Sequence, residues 1–137
     1  MISIKSFQIG EKEIIIATLF DKKIQGITFS FDGEQFLQER INALVGYLAT
    51  RGVKVNLEER DSQLSALVYK ILIGEIRNED GLEYLSFEGT TPFEKKVYET
   101  LTKKVKRGEV ITYGELAKML RSSPRAIGGA MKRNPYP

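Results

Sequence analysis

The chain has 137 residues, 42% hydrophobic and 28% charged, and it contains neither cysteine nor histidine. This composition is typical of a globular protein, and it excludes disulfide bonds and soft-metal sites within these residues. The apolar runs are far shorter than the roughly 18 residues of a membrane span, and no basic and apolar leader stands at the start. We therefore expect a cytoplasmic protein without a membrane partner.

The net charge of +3 is unevenly distributed along the chain. Residues 1–87 contain 10 Lys and Arg against 13 Asp and Glu, whereas residues 88–137 contain 11 against 5. A basic part joined to an acidic part is typical of a protein that meets a polyanion through the basic part alone. The alternative is a solvated basic surface with no partner.

The first 31 residues predict three strands connected by short turns. Apolar residues alternate with polar ones at 2–7, form a β-branched run at 13–20 and alternate again at 24–31. Turn-like residues separate the three segments, which is the pattern of an antiparallel meander.

Two helices should follow the strands. The first is predicted at 34–51, with Asp32 as its N-cap and Gly52 just beyond its end. A second helix is predicted at 62–74, and a fourth strand at 53–57 between them. We expect the apolar stripes of both helices to be core and not a ligand site.

The domain organisation follows from a polar, turn-rich break after the second helix. We predict an N-terminal αβ domain at 1–80, a linker at 81–90 and a C-terminal domain at 91–137.

The C-terminal part begins with the strongest helix signal in the chain, at 91–106. Thr91 is the predicted N-cap, Pro92 the first helical residue, and Glu94 completes a capping box. The basic residues at 103–107, which precede a predicted stop at Gly108, either complement the helix dipole or contact phosphate.

Two further short helices are predicted at 112–120 and 124–132. Thr112 and Glu115 have capping-box spacing at the first, and Ser123 followed by a proline caps the second. This arrangement is typical of a helix-turn-helix, although an ordinary pair of core helices fits the spacing equally well.

The residues TYGELA at 112–117 and SPRAIGGAMKRNPYP at 123–137 are more specific than their pattern. They closely resemble the C-terminal domain of O6-alkylguanine-DNA alkyltransferases, the methylated-DNA–protein-cysteine methyltransferases. The resemblance implies an α/β (α+β) fold in which the N-terminal αβ domain has an antiparallel sheet of the ribonuclease H-like roll type. The C-terminal domain would be a three-helix, winged-helix-like DNA-binding domain whose wing is missing.

The resemblance also implies roles for individual residues. Arg125 corresponds to the arginine that fills the gap left by an extruded base, and Tyr113 to the tyrosine that rotates the neighbouring phosphate. The small residues Ala126, Gly128 and Gly129 would let the helix approach the minor groove closely. Further DNA contacts are implied at Gly114 and Ser123, and an alkyl-base pocket at Met131, Asn134 and Pro137.

The family's chemistry needs a cysteine from a Pro-Cys-His-Arg motif, which this sequence does not contain. We therefore identify no catalytic residue, cofactor or metal ligand in the chain and expect it to be inactive alone, as a truncated form of a complete enzyme. That enzyme would be a monomer that repairs O6-alkylguanine in double-stranded DNA through the minor groove, by flipping the base out and transferring its alkyl group irreversibly to cysteine. One alternative is a non-catalytic alkyltransferase-like lesion-binding protein. Another is a winged-helix transcription regulator, although the glycine-rich helix face argues against it, because a major-groove reader needs polar side chains there.

Overall fold

The computed structural model describes residues 1–105 and 109–136 of the chain. Its strands and helices are β1 (Ile2–Ile9), β2 (Lys12–Phe20), β3 (Ile24–Ser30), α1 (Glu34–Thr50), α2 (Gln63–Leu72), a 3₁₀ helix (Asn78–Tyr84), α3 (Pro92–Lys104), α4 (Tyr113–Leu120) and α5 (Pro124–Lys132).

The three strands form the expected antiparallel meander, in the order β1-β2-β3. The central strand β2 is buried from Ile14 onward because both of its faces are covered. One face packs against α1 and contributes Ile15, Ala17 and Leu19 to the first hydrophobic core. On the other face the Thr18 hydroxyl lies 3.1 Å from that of Ser65 on α2.

The expected cap at the start of α1 is wrong. Gly33, and not Asp32, is the N-cap, and its φ of 94° lies in the region that favours glycine. The Asp32 amide donates to the Ser30 hydroxyl at 3.0 Å, so this residue belongs to the turn after β3. At the other end of α1, Gly52 has a φ of 78° and confirms the predicted stop.

The predicted fourth strand is also wrong. Residues 53–58 have no regular structure, and a single parallel bridge joins Ile2 to Glu59. The Ile2 amide donates to the Glu58 carbonyl at 3.0 Å, and the Arg60 amide donates to the Ile2 carbonyl at 2.9 Å. The alternating residues 53–57 form no β-bridge themselves, and the bridge to β1 follows two residues after them, at Glu59.

The expectation that α2 contributes a closed core is wrong in part. Ser65 is its fully buried residue, whereas the apolar stripe is half-buried and Leu72 is 37% exposed. The stripe lines a cavity, described below. The periodicity of α2 therefore marks an apolar face that other elements cover only in part.

The helix α3 begins with both hydrogen bonds of the expected capping box. The Thr91 amide donates to Glu94 Oε1 at 3.0 Å, and the Glu94 amide donates to Thr91 Oγ1 at 3.1 Å. The predicted end of this helix falls on Lys106, Arg107 and Gly108, which lie outside the described residues, as does Pro137.

The helices α3, α4 and α5 share a second hydrophobic core. It is centred on Val97, Leu116 and Ile127, each at most 1% exposed. In the described ranges, no helix has the length and apolarity that crossing a membrane requires.

Candidate nucleic-acid interface

The N-terminal end of α5 is fixed by its cap and by its buried side. The Ser123 hydroxyl accepts the Ala126 amide at 3.2 Å. Ile127 and Ala130, three residues apart, are completely buried against α3 and α4. The opposite side of the helix, which carries Arg125, therefore faces solvent.

This solvent-facing side brings together three of the residues predicted to bind DNA. A Cβ atom built on Gly128 would lie 3.5 Å from Cε2 of Tyr113, so the tyrosine ring packs over this glycine. Tyr113 remains 52% exposed. Arg125 lies one helical turn before Gly128 and is also exposed, with no ion-pair partner among the described residues. We call Tyr113, Arg125 and Gly128 the α5 face.

The other DNA contacts implied by the resemblance lie near the α5 face. Gly114 is half-buried beside Tyr113 in the first turn of α4, where the Thr112 hydroxyl caps the helix by accepting the Glu115 amide at 3.1 Å. Ala126 is half-buried in the first turn of α5. The structure therefore collects these residues around the start of two adjacent helices.

Gly129 makes room for a contact inside the protein. A Cβ atom on Gly129 would lie 3.1 Å from Nη1 of Arg133. The missing side chain thus makes room for the arginine to fold back along α5. No sequence pattern indicates this contact, because adjacent glycines on a helix look equivalent.

The arginine that crosses Gly129 belongs to an ionic cluster around the buried carboxylate of Glu94. Glu94 Oε2 accepts hydrogen bonds from Arg51 Nη2 at 2.5 Å and from Arg133 Nε at 2.6 Å. Glu94 is 2% exposed. The cluster joins the end of α1, the first turn of α3 and the end of α5. We call its members, Arg51, Glu94 and Arg133, the Glu94 clasp.

The Glu94 clasp is ionised at neutral pH. Burial pushes the pKa of Glu94 upward, but the hydrogen bonds from Arg133, from the Thr91 amide and from Arg51 outweigh it and hold the pKa at about 2. The hydrogen bond to Glu94 raises the pKa of Arg51 in return.

Two tyrosines bind the carbonyl groups at the C-terminal end of α5. The Tyr98 hydroxyl donates to the Ala130 carbonyl at 2.6 Å, and the Tyr47 hydroxyl donates to the Arg133 carbonyl at 2.8 Å. Burial raises the pKa of Tyr98. These hydroxyls therefore add hydrogen bonds from α3 and α1 at the end of α5, where carbonyls lack a full set of partners within the helix.

The residues after α5 run along the edge of the sheet. Asn134 Oδ1 accepts the Tyr136 amide at 2.9 Å, so its side chain shapes the turn that ends the helix. The Pro135 carbonyl accepts the Ile27 amide at 2.9 Å. The Tyr136 hydroxyl accepts the Phe87 amide at 3.0 Å, and burial raises the pKa of this tyrosine to about 12.

Two of the three predicted pocket residues share a cavity of about 600 Å³. Met131 and Asn134 line it together with Tyr136, while Pro137 lies outside the described residues. Sequence reasoning missed the opposite wall, because its residues form stripes that look like core. That wall includes Ile24, Ile27, Phe29, Leu67, Val68 and Leu72.

The described residues contain no group of three or more His, Cys, Asp or Glu side chains placed to hold a metal ion. The chemistry that this arrangement offers is therefore that of a basic, partly aromatic surface next to an apolar cavity. Neither feature contains a thiol, because the sequence has no cysteine.

Comparisons with known proteins agree along the whole chain. Residues 1–88 match the family described as methylated DNA-protein cysteine methyltransferase, N-terminal. Residues 92–137 match the 6-O-methylguanine DNA methyltransferase, DNA binding domain. The chain is 93% identical over 137 residues to the methylated-DNA–protein-cysteine methyltransferase of Thermococcus sibiricus, with 100% of this chain and 78% of the relative covered.

Other relatives extend the agreement. The enzyme of the same name from Thermococcus barophilus is 63% identical, with the same coverage of both chains. The crystal structure of O6-methylguanine-DNA methyltransferase from the hyperthermophilic archaeon Pyrococcus kodakaraensis superposes with a TM-score of 0.97 at 55% identity, covering 100% of this chain and 80% of that one. The chain therefore belongs to the methylated-DNA–protein-cysteine methyltransferase family of DNA-repair enzymes, and it carries no cysteine that could accept an alkyl group.

Proposed function

We propose that this chain docks on double-stranded DNA containing O6-alkylguanine by placing the α5 face in the minor groove. The alkylated base turns out of the duplex toward the wall formed by Met131 and Asn134, with Pro137 beside it. Because the sequence has no cysteine, the chain alone binds and flips the lesion without receiving its alkyl group.

This proposal depends on the position of Arg125, which lies near Tyr113 on a helix whose other end is fixed. Arg125 is exposed and has no partner in the ranges 1–105 and 109–136 that the structure describes. A planar guanidinium can stack on bases and donate hydrogen bonds to an orphaned base at the same time. The neighbouring phenol supplies a donor for the phosphate of the extruded nucleotide. An arginine held by a carboxylate would not be available for either contact.

The start of α5 supports the same docking mode. Gly128 has no side chain of its own, so the Tyr113 ring packs directly on α5, and a groove wall can approach the α5 face closely. The Ser123 hydroxyl, Ala126 and Gly114 lie where backbone or hydroxyl contacts to phosphate would position the helix. Such contacts fix orientation without reading sequence, as a protein that searches for damage requires.

The remaining assignments complete this proposal. The N-terminal domain at 1–80 buttresses the DNA-binding domain at 91–137 through the linker at 81–90. The protein acts as a monomer in the cytoplasm.

The docking mode is tested by the affinity of the chain for two duplexes, one containing O6-methylguanine and one undamaged, measured by fluorescence anisotropy. Arg125→Ala should reduce the preference for the damaged duplex, because no side chain then fills the gap that the extruded base leaves. Lys104→Ala, which removes an exposed cation at the end of α3, should leave that preference unchanged. Equal losses on both duplexes for both variants would show that Arg125 acts only as a charge.

The absence of transfer is tested separately with a duplex that carries a radiolabelled O6-methyl group. We expect the chain to bind this duplex and to retain no label after denaturation. Label that remains bound to the protein would contradict the proposal that the chain alone cannot accept the alkyl group.

A further inference from the structure

Two residues other than glycine have left-handed backbone conformations in the described ranges, Phe87 with a φ of 55° and Arg121 with a φ of 52°. This conformation costs free energy in any residue that has a Cβ atom. It persists where an interaction of the same residue offsets the cost. The two positions differ in where that interaction is found.

At Phe87 the offsetting contacts lie inside the protein. Its ring packs edge-to-face against Tyr136, with ring centroids 5.7 Å apart. The Lys95 ammonium lies 4.9 Å from the centre of the Phe87 ring. The Phe87 amide also donates to the Tyr136 hydroxyl. The conformation of Phe87 is thus explained by packing between the linker and the second hydrophobic core.

At Arg121 the backbone is that of a helix end that normally uses glycine. The Arg121 amide donates to the Lys118 carbonyl at 3.3 Å, and the Ser122 amide donates to the Ala117 carbonyl at 2.8 Å. This pair of bonds is the Schellman motif, in which glycine is the common left-handed residue. The Arg121 side chain is exposed and has no ion-pair or hydrogen-bond partner among the described residues.

The surroundings of Arg121 are uniformly basic. Residues 116–137 contain five Lys and Arg and no Asp or Glu. Arg121 stands in the turn between α4 and α5, two residues before the Ser123 cap and four before Arg125. The nearest acidic residue along the chain is Glu115, six positions before Arg121, so an anion that pairs with this arginine would come from outside the described residues.

We propose that the Arg121 guanidinium binds a backbone phosphate of the DNA beside the nucleotide that Arg125 replaces. This inference rests on the proposed function, since it assumes that the α5 face docks on DNA. A guanidinium matches two phosphate oxygens with parallel hydrogen bonds. The contact adds affinity and register for any sequence, in contrast to the lesion-dependent role of Arg125.

The decisive variant is Arg121→Gly, because it moves two measurements in opposite directions. Glycine fits the left-handed backbone, so the melting temperature should rise by about 2–4 °C. Loss of one phosphate contact should weaken binding to an undamaged duplex roughly eightfold at about 0.1 M salt, and should reduce the slope of log K against log salt by about 1. A residue with only a structural role would not lower affinity while raising stability.

Two matched variants control for charge and for position. Arg121→Lys keeps the cation and should bind with an unchanged salt slope. Lys23→Gly removes an exposed cation in the turn between β2 and β3, far along the chain, and should leave affinity unchanged. Arg121→Gln removes the charge without relieving the backbone, so it should weaken binding as Arg121→Gly does with no rise in melting temperature.

The failures of the two proposals are distinguishable. If Arg121→Gly and Arg121→Gln bind DNA with the affinity and salt slope of the unmodified chain, the phosphate contact is wrong and the docking mode stands. If the unmodified chain binds no duplex under these conditions, the proposed function fails, and the role of Arg121 fails with it.

Discussion

The two ends of α5 are built in opposite ways. At the C-terminal end, Arg133 is bound to a buried carboxylate, and side-chain hydroxyls donate to the Ala130 and Arg133 carbonyls. At the N-terminal end, Arg125 is exposed and has no partner among the described residues. The same type of side chain is thus fixed at one end of a nine-residue helix and free at the other.

The difference shows how a short helix can serve as a recognition element. A helix of this length is marginal by itself, so its position depends on tertiary contacts. The Glu94 clasp supplies those contacts at the end that faces the rest of the protein. The free end then presents a cation whose position is set by the scaffold, which is the general requirement for a precise binding site.

Removal of Glu94 is the strongest way to break this arrangement. Glu94→Ala leaves two arginines without their shared carboxylate and also deletes one bond of the α3 capping box. We expect a loss of about 3 kcal/mol in the free energy of unfolding, measured by urea denaturation. Arg51 and Arg133 are partly exposed, which keeps the loss from being larger.

Glu99→Ala is the matched control on the same helix. Glu99 pairs with Lys103 across one helical turn at 3.8 Å, and both side chains are partly exposed. Such a pair contributes less than about 0.5 kcal/mol. Similar losses for the Glu94 and Glu99 variants would show that the Glu94 clasp is no more than a surface ion pair.

The same carboxylate predicts a dependence of stability on pH. The pKa of Glu94 is about 2 in the folded protein against an ordinary value of 4.5, so the unfolded chain binds a proton first as the pH falls. The stabilisation from Glu94 is complete above about pH 4.5 and disappears as the pH falls toward 2, a change of roughly 3 kcal/mol. Urea denaturation at several pH values measures it.

Glu94→Gln is the control for that dependence, since its side-chain oxygen can still accept the Thr91 amide and the side chain cannot titrate. The variant should lose less stability on acidification than the unmodified chain. Parallel pH profiles for the two proteins would mean that other carboxylates dominate the acid transition.

A single hydroxyl tests the fixed end more mildly. Tyr98→Phe removes the donor to the Ala130 carbonyl and leaves that buried carbonyl with the Arg133 amide as its partner. We expect a loss of about 1 kcal/mol in the free energy of unfolding, typical of one intramolecular hydrogen bond. A loss near zero would show that the end of α5 is held without this bond.

The sequence predicted the start of α5 better than the contacts that α5 makes with the other helices. Local signals such as the Ser123 cap and the proline after it are complete within a few residues, and the structure places both as expected. The Glu94 clasp joins residues 43 and 39 positions apart, so no periodicity could indicate it. The capping role of Glu94 follows from the sequence, whereas its hydrogen bonds to Arg51 and Arg133 depend on how the chain folds.

The errors elsewhere have the same origin. The alternation at 53–57 predicts a strand, but a strand also needs a partner along its length, and the β-bridge to Ile2 is made by Glu59, beyond this segment. The stripe on α2 is a genuine apolar face, but coverage depends on what packs against it. Sequence patterns report the preference of a segment, and burial depends on its neighbours.

The two adjacent glycines of α5 provide a further test of how its two ends differ, through small changes in the free energy of unfolding. Gly128→Ala and Gly129→Ala give the same gain in helix propensity, up to about 1 kcal/mol. At Gly128 the new Cβ meets the Tyr113 ring at 3.5 Å, an ordinary contact, so the gain should be realised. At Gly129 it meets the Arg133 guanidinium at 3.1 Å and must displace it slightly from Glu94.

We therefore expect Gly128→Ala to be the more stable variant in urea denaturation, while its added methyl group on the α5 face weakens DNA binding. If the two variants are equally stable, Arg133 tolerates displacement, and the Glu94 clasp is looser than its geometry indicates.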